Sequence, residues 1–330
     1  MKQYTSLYFV GAGGIGMSAL VRYFLAKGYK VAGYDRTQSP LTTELKAEGL
    51  EIVYEESVES IPDYCRNPET TLVVYTPAIP TSHSGLVYFR EHGFRVVKRA
   101  ELLGLITQSS RGLCFAGTHG KTTTSSMAAH IFHESPIGCN AFLGGILRNY
   151  NSNLILSEQS PFTVIEADEY DRSFHWLHPY MAVVTATDPD HLDIYGTEEA
   201  YLESFAHFTS LIQPGGCLIM KKGIRLVPNV KEGVKIYTYS ARDGGDFHAG
   251  NIRIGDGTIV FDFVTPEGVF ADIELGVPVE INIENAVAAM AIAWLNAVSG
   301  DDLRRAMASF KGAKRRFEFW VRRPDRVMID

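Results

Sequence analysis

The sequence predicts an α/β protein of two successive parallel-sheet domains, the second carrying an added β-rich portion. Three observations predict it. Two glycine-rich loops each lie between a short apolar run and a helical stretch, further apolar runs end in acidic residues, and after residue 216 the texture turns to short β-rich segments broken by Gly, Asp and Pro. Apolar runs that alternate with amphipathic stretches are the pattern of strands and helices layered about a parallel sheet.

In order along the chain, Leu7–Val10 reads as a strand ending in glycines, Met17–Lys27 as an amphipathic helix and Lys30–Tyr34 as a second strand. Residues 51–54, 71–76 and 95–97 are further strands, and Arg99–Ile106 is a helix. The polar run Thr107–Arg111 reads as a connector, so a first domain is expected over residues 1–107. A second α/β pattern starts afresh with a strand at Gly112–Ala116, a glycine loop and a helix over Thr122–His133. Residues 162–165 and 181–185 are apolar runs of the kind found in buried parallel strands. Helices return over Ile283–Val298 and Asp301–Phe310, giving a second domain over 108–318. Residues 319–330 then read as the opening of a third domain, with a strand just beginning at Arg326–Asp330, and the chain is expected to be a piece of a longer protein.

Size and charge narrow the function classes. The 330 residues are about twice a usual domain length, and 45% hydrophobic with 21% charged residues suffices for sizeable cores. A net charge of -7 gives no general affinity for nucleic acid or an anionic membrane, so neither is expected as a partner. The four cysteines lie 25 to 78 residues apart without a CxxC pair, which disfavours a disulfide framework or a zinc site. With no signal-peptide pattern and no apolar window of roughly 18 residues, the expected location is cytoplasmic.

The first loop, Gly11-Ala12-Gly13-Gly14-Ile15-Gly16, satisfies GxGxxG directly after a strand. Glycines let backbone approach a pyrophosphate, and the helix N-terminus offers it N–H groups and positive dipole. Asp35 ends the next strand 19 residues beyond Gly16, where a carboxylate can accept hydrogen bonds from ribose hydroxyls. NAD and a nucleoside-diphosphate ligand satisfy this physics equally.

The second loop, Gly117-Thr118-His119-Gly120-Lys121-Thr122, followed by Thr123, has the GK[ST] ending of a phosphate-binding loop, although Phe115 stands where the first glycine of the common form belongs. Its N–H groups would cradle phosphates, Lys121 would reach the β/γ oxygens, and the Thr122 hydroxyl would ligate Mg²⁺. Two further strands end in Glu166 and in the Asp188, Asp190, His191, Asp193 group. Ligands of open parallel sheets bind at such ends, so Glu166 can share a magnesium with Thr122 and His191 can hold a second. Asp168, Glu169 and Asp171 read as helix-capping acids or partners of Arg172. Asn282 and Asn285 open an alanine-rich helix, where amides cap a terminus or read an adenine edge. Lys314-Arg315-Arg316 reads either as a charged turn or as a phosphate contact at a hinge.

Together these segments resemble the Mur ligases of peptidoglycan synthesis. The resemblance is carried by Gly11–Ser18 (GAGGIGMS), 75–80 (YTPAIP), 98–103 (KRAELL), 116–124 (AGTHGKTTT), 166–174 (EADEYDRSF), 190–195 (DHLDIY) and 314–319 (KRRFEF), and it spans the chain. It implies a Rossmann-like UDP-sugar domain, a P-loop-type α/β ATPase domain and a closing third domain. It also implies ATP-dependent joining of L-alanine to UDP-N-acetylmuramate through an acyl phosphate, with ATP and two Mg²⁺ sites.

By position, the resemblance makes Lys121, Glu166 and His191 catalytic and Thr122, Glu166 and His191 metal ligands. Residues 117–123 and Asn285 would bind ATP. Gly11, Gly13, Gly14, Ile15, Gly16, Asp35, Thr76 and His119 would bind the UDP-sugar, His119 beside its lactyl end.

Two departures stand out. Thr185–Pro189 occupies positions where many relatives carry Asn and Glu. No lysine lies between Lys121 and Lys221, which removes the carbamylated lysine of some other branches and favours the alanine-adding one. The alternatives are a ligase that reattaches a tripeptide to the same UDP-sugar, an NAD-dependent oxidoreductase, and a nucleotide-sugar-binding fragment with little or no turnover.

Overall fold

The computed structural model describes residues 3–242, 244–314, 319–323 and 326–329, the last two spans as backbone. Arg315 and Arg316 of the basic run lie outside them. The chain divides into two compact units, residues 1–106 and 107–330.

The first unit alternates β1 (Ser6–Val10), α1 (Ile15–Ala26), β2 (Lys30–Tyr34), α2 (Pro40–Ala47), β3 (Glu51–Val53), β4 (Thr71–Tyr75), α3 (Ser84–Glu91), β5 (Arg95–Lys98) and α4 (Arg99–Gln108). Among the described residues its strands pair, all parallel, in the order β3-β2-β1-β4-β5. The order reverses beside β1, so the loop after β1 opens at the topological switch point. Helix α2 was not read from the sequence, where its two threonines and single leucine pair mask the period. Ser39 starts it with a reciprocal capping box to Thr42.

The second unit contains β6 (Arg111–Ala116), α5 (Lys121–Glu134), β7 (Asn140–Leu147), β8 (Ser152–Ile155), β9 (Phe162–Glu166), β10 (Pro179–Val184), α6 (Leu192–Tyr195), α7 (Glu198–Ser210) and β11 (Cys217–Lys221). It continues through β12 (Lys235–Ser240), β13 (Phe247–Gly255), β14 (Thr258–Thr265), β15 (Gly268–Glu274), α8 (Ile281–Trp294) and α9 (Gly300–Ser309) to a separate hairpin of β16 (Phe319–Arg323) and β17 (Arg326–Ile329). Its main sheet runs β15-β14-β13-β12-β11-β10-β6-β9-β7-β8. The centre is parallel, while β13–β15 and the β7–β8 hairpin are antiparallel. This is the expected α/β class, with the β-rich portion extending one edge of the sheet.

Helices α5 and α8 pack against each other. The buried alanines 286, 288, 289, 291 and 293 of α8 and Met127, Ile131 and Phe132 of α5 belong to one hydrophobic core. Helix α8 stops at Trp294, short of the expected Val298, because Ala297 turns left-handed (φ 64°) and Val298 N–H returns to Ala293 O. No glycine marks that stop in the sequence.

Residues 311–314 are laced to the β7–β8 hairpin. Ala313 bridges Leu147, Arg148 N–H donates to Gly312 O and Lys314 N–H to Ile146 O (2.9 Å each), and Lys314 Nζ reaches Asn151 Oδ1 at 2.6 Å. Among the described residues no helix is long and apolar enough to cross a membrane.

Candidate nucleotide and phosphoryl-transfer sites

In the first unit, the glycine loop joins β1 to α1, whose N-cap is Gly14 with no side-chain cap. Gly13 N–H donates to Asp35 Oδ2 at 2.7 Å and Thr37 N–H to Asp35 Oδ1 at 3.1 Å. Asp35 therefore holds the loop itself, keeping only its remaining lone pairs for a ligand. A Cβ on Gly13 would lie 2.9 Å from that carboxylate, and one on Gly11 would lie 2.7 Å from Thr76 Cγ2. Thr76 thus packs on the loop from the end of β4. Arg99, absent from the sequence-predicted site, has Nη1 3.1 Å from where a Gly16 Cβ would stand. It makes no hydrogen bond or ion pair among the described residues. A guanidinium beside a helix N-terminus adds a full charge to the dipole that attracts anions. Its signal was available in the KRAELL segment, but only the strand–helix junction at Lys98–Arg99 aims it at the loop.

In the second unit, sheet order assembles the site. Strand β6 lies between β9 and β10, with Phe115 in register with Glu166 and Ala116 with Val184. The phosphate loop, Glu166 and the segment from Thr185 therefore leave the sheet side by side. Gly117 (φ 139°) and Gly120 (φ 83°) take backbone positions that a side chain resists, and a Cβ on Gly117 would meet Ala186 N at 2.8 Å. The loop is clamped from the β10 side. Thr118 N–H donates to Ala186 O (3.1 Å), its hydroxyl to Asp188 O (2.7 Å), and Thr185 Oγ1 to His119 O. Of these contacts only the Thr185 hydroxyl depends on the side chain at its position, the acceptors at 186 and 188 being backbone carbonyls.

Helix α5 starts at Lys121 with its N-terminus uncapped by any side chain. Residues 118–123 and Glu166 line a cavity of about 270 Å³. His119 is exposed at its rim and Thr123 is half-buried. Lys121 Nζ donates to Gly117 O and to Glu169 Oε1, both at 2.7 Å. Glu169 was read as a cap or an Arg172 partner; instead it makes no cap and forms an ion pair 48 residues back in the chain.

Thr122 Oγ1 donates to Glu166 Oε1 at 3.0 Å, and Gly144 N–H to Glu166 Oε2 at 3.0 Å. Burial pushes the Glu166 carboxyl above its ordinary pKa, while Thr122, Lys121 and Gly144 pull the other way. A desolvated carboxylate beside a hydroxyl oxygen on a cavity wall is a donor set suited to one hard cation such as Mg²⁺.

His191 stands apart from that pair. It is left-handed (φ 52°), lies edge-on to Tyr170 with ring centroids 5.2 Å apart, and has Nε2 3.7 Å from Asp190 Oδ2. No hydrogen bond joins it to Thr122 or Glu166, and no group of three His, Cys, Asp or Glu gathers for a metal among the described residues. Asn285 lies in the first turns of α8, behind its N-cap Glu280. It accepts from Thr124 Oγ1 and donates to Asn282 Oδ1, both at 3.2 Å, which ties it to the phosphate-loop helix and leaves one N–H and one lone pair.

Family models match both units. The Mur ligase family catalytic-domain model matches residues 6–111, and the Mur ligase middle-domain model matches 115–293. The chain is 65% identical over 330 residues to a UDP-N-acetylmuramate–L-alanine ligase of Parabacteroides distasonis, covering 71% of it. It is 63% identical to that of Phocaeicola vulgatus over 98% of this chain and 70% of that protein. Two solved structures share the fold at TM-score 0.79. One is the UDP-N-acetylmuramate–alanine ligase of Thermotoga maritima, 24% identical over 98% of this chain and 73% of that one. The other is a UDP-N-acetylmuramate:L-alanyl-γ-D-glutamyl-meso-diaminopimelate ligase of Neisseria meningitides, 22% identical over 94% of this chain and 100% of that one.

Proposed function

Because the chain belongs to the Mur ligase family, we propose that it is an ATP-dependent ligase joining L-alanine to the lactyl carboxylate of UDP-N-acetylmuramate in the cytoplasm, for peptidoglycan synthesis. The observation that carries the chemistry is the Thr122–Glu166 pair beside Lys121 on one cavity. The loop N–H groups and the α5 dipole hold the ATP phosphates, and Lys121 meets the charge that grows on the transferring group.

The lactyl carboxylate oxygen attacks the γ-phosphorus, and the bond to the ADP oxygen breaks. The amine of alanine then adds to the acyl carbon of the resulting acyl phosphate, loses a proton, and phosphate departs as the amide forms. Thr122 and Glu166 would hold one Mg²⁺ and His191 a second, which when bound neutralise phosphate charge. Asn285 uses its remaining amide positions on adenine, and His119 stands at the lactyl end. The Gly11–Gly16 loop, with Thr76 and Asp35, holds the UDP portion.

A phosphate-release assay on the full-length protein with ATP, UDP-N-acetylmuramate and alanine, glycine or serine tests the reading. Release that needs the UDP-sugar and is greatest with alanine supports it. Release driven instead by a tripeptide would favour the recycling ligase, whose fold matches equally well, and tight NADH binding without a UDP-sugar response would overturn both. A finer element of the reading is that these 330 residues alone turn over little or nothing, which the same assay measures beside a full-length relative.

A further inference from the structure

An ammonium group has three N–H donors. Lys121 commits two of them within the protein, to Gly117 O and Glu169 Oε1, each at 2.7 Å. Its side chain remains 15% exposed on the cavity, whereas that of Glu169 is 1% exposed. Two fixed acceptors set the direction of the third N–H, so a point charge on a flexible stem becomes an aimed donor.

Glu169 is itself held by its backbone. Its carbonyl accepts from Tyr195 Oη at 2.5 Å and from Arg172 N–H at 3.0 Å. The backbone immediately after it is strained, with Asp171 and Arg172 both left-handed (φ 50° and 54°). Phe174 N–H, bonded to Asp168 O at 2.8 Å, pins that turn, and the Phe174 ring is fully buried. Strain of this kind persists where surrounding contacts over-determine it. The second carboxylate oxygen, Oε2, is buried with no hydrogen-bond partner among the described residues. Leaving such an oxygen unpaired is unfavourable, so the Lys121 contact is the side-chain interaction that offsets it.

The same residue ties Lys121 to the turn bearing His191. Tyr195 N–H donates to His191 O at 3.1 Å, and Tyr170, next to Glu169, lies against the His191 ring. We propose that Glu169 is a positioning residue for phosphoryl transfer. It acts through Lys121, fixing the direction of the lysine's free N–H and balancing its charge until a triphosphate arrives. The proposal rests on the ligase reading for the reaction, but its effect on nucleotide binding is independent of that reading.

The test is a double-mutant cycle on ATP affinity, measured by calorimetry, with kcat measured alongside on the full-length protein. Glu169→Gln keeps the shape and removes the charge that competes with phosphate for Lys121. It is expected to tighten ATP binding about tenfold through loss of one partly screened charge. It is also expected to lower kcat by up to about 100-fold, because the ammonium is no longer aimed. Glu169→Asp, which keeps the charge, recovers part of kcat. In a Lys121→Ala background Glu169→Gln has no further effect on ATP affinity, since its route is gone.

Additive effects of the two substitutions overturn the proposal, as does a Glu169→Gln protein with unchanged ATP affinity. Equal loss of kcat in the Gln and Asp variants with a lowered melting temperature marks a structural residue and also overturns it. Full-length wild-type protein that binds ATP but releases no phosphate with UDP-N-acetylmuramate and alanine refutes the ligase reading, while the binding cycle still decides the role of Glu169.

Discussion

Thr122 and Glu166, 44 residues apart in sequence, share a 3.0 Å hydrogen bond on the wall of the phosphate-loop cavity. Burial raises the Glu166 pKa, so the folded protein holds that proton more tightly than the unfolded chain. The stabilising contribution of such a group is fully present below the unfolded pKa and is lost as pH rises through the folded one. At neutral pH the ionised carboxylate therefore opposes folding of the ligand-free protein. Glu166→Gln, whose amide can still accept from Gly144 and donate to Thr122, is expected to raise the melting temperature at pH 7 and to lower phosphate release by roughly 100-fold or more. A lowered melting temperature at pH 7 with unchanged release would contradict both halves.

Gly144 donates to Glu166 from the neighbouring strand, and a Cβ there would lie within 2.6 Å of Glu166 Cδ. Gly144→Ala is expected to push the carboxylate off its position and reduce activity by about 10–100-fold, as displaced metal-orienting contacts do. The loss should be partly recovered at high Mg²⁺. A magnesium titration that superimposes on wild type would show that the strand yields instead.

Arg99 lies at the first glycine loop with no hydrogen bond or ion pair among the described residues. Arg99→Ala is expected to weaken UDP-N-acetylmuramate binding by about 10–100-fold, the range of a hydrogen bond to a charged group. ATP affinity should be unaffected. Calorimetric titration of each ligand separates these outcomes, and equal weakening of both would point to a general loss of fold.

His130 is 1% exposed and bonds Tyr150 Oη at 2.6 Å and Ser309 Oγ at 2.9 Å. Tyr150 donates to Glu134 and Ser309 to Ala306 O, so His130 sits in a closed chain of hydrogen bonds. Burial pushes its pKa down to about 4, against a smaller opposite pull from Glu134. With the folded pKa lowered, its contribution is present above pH about 6.5 and is lost as pH falls toward 4, up to roughly 3 kcal/mol from the shift to about 4. Urea unfolding between pH 7 and 4.5 should show wild type losing more stability than His130→Gln. Parallel curves would remove His130 as the cause.

Both nucleotide loops were legible in the sequence because their signal is local: glycines, a strand before and a helix after, within ten or so residues. Glu166 was legible as an acid ending an apolar run. Its partners were not. Gly144 reaches it because β9 lies between β6 and β7, and Glu169 reaches Lys121 across 48 residues. Sheet order sets both contacts, and no spacing encodes sheet order. Asp35 illustrates the converse: its position was legible, but its bond to Gly13 within the loop depends on the backbone turn.

The lacing of residues 311–314 onto the β7–β8 hairpin has a mechanical consequence. Ala313 bridges Leu147, and Gly144, three residues earlier on the same strand, grips Glu166. A Cβ on Gly145 between them would touch both Thr122 and Ala313, at 3.3 and 3.4 Å. Residues 311–314 are thus joined by one short run of β7 to the carboxylate opposite the phosphate loop, so the anchor of this segment and the grip on Glu166 share a single strand.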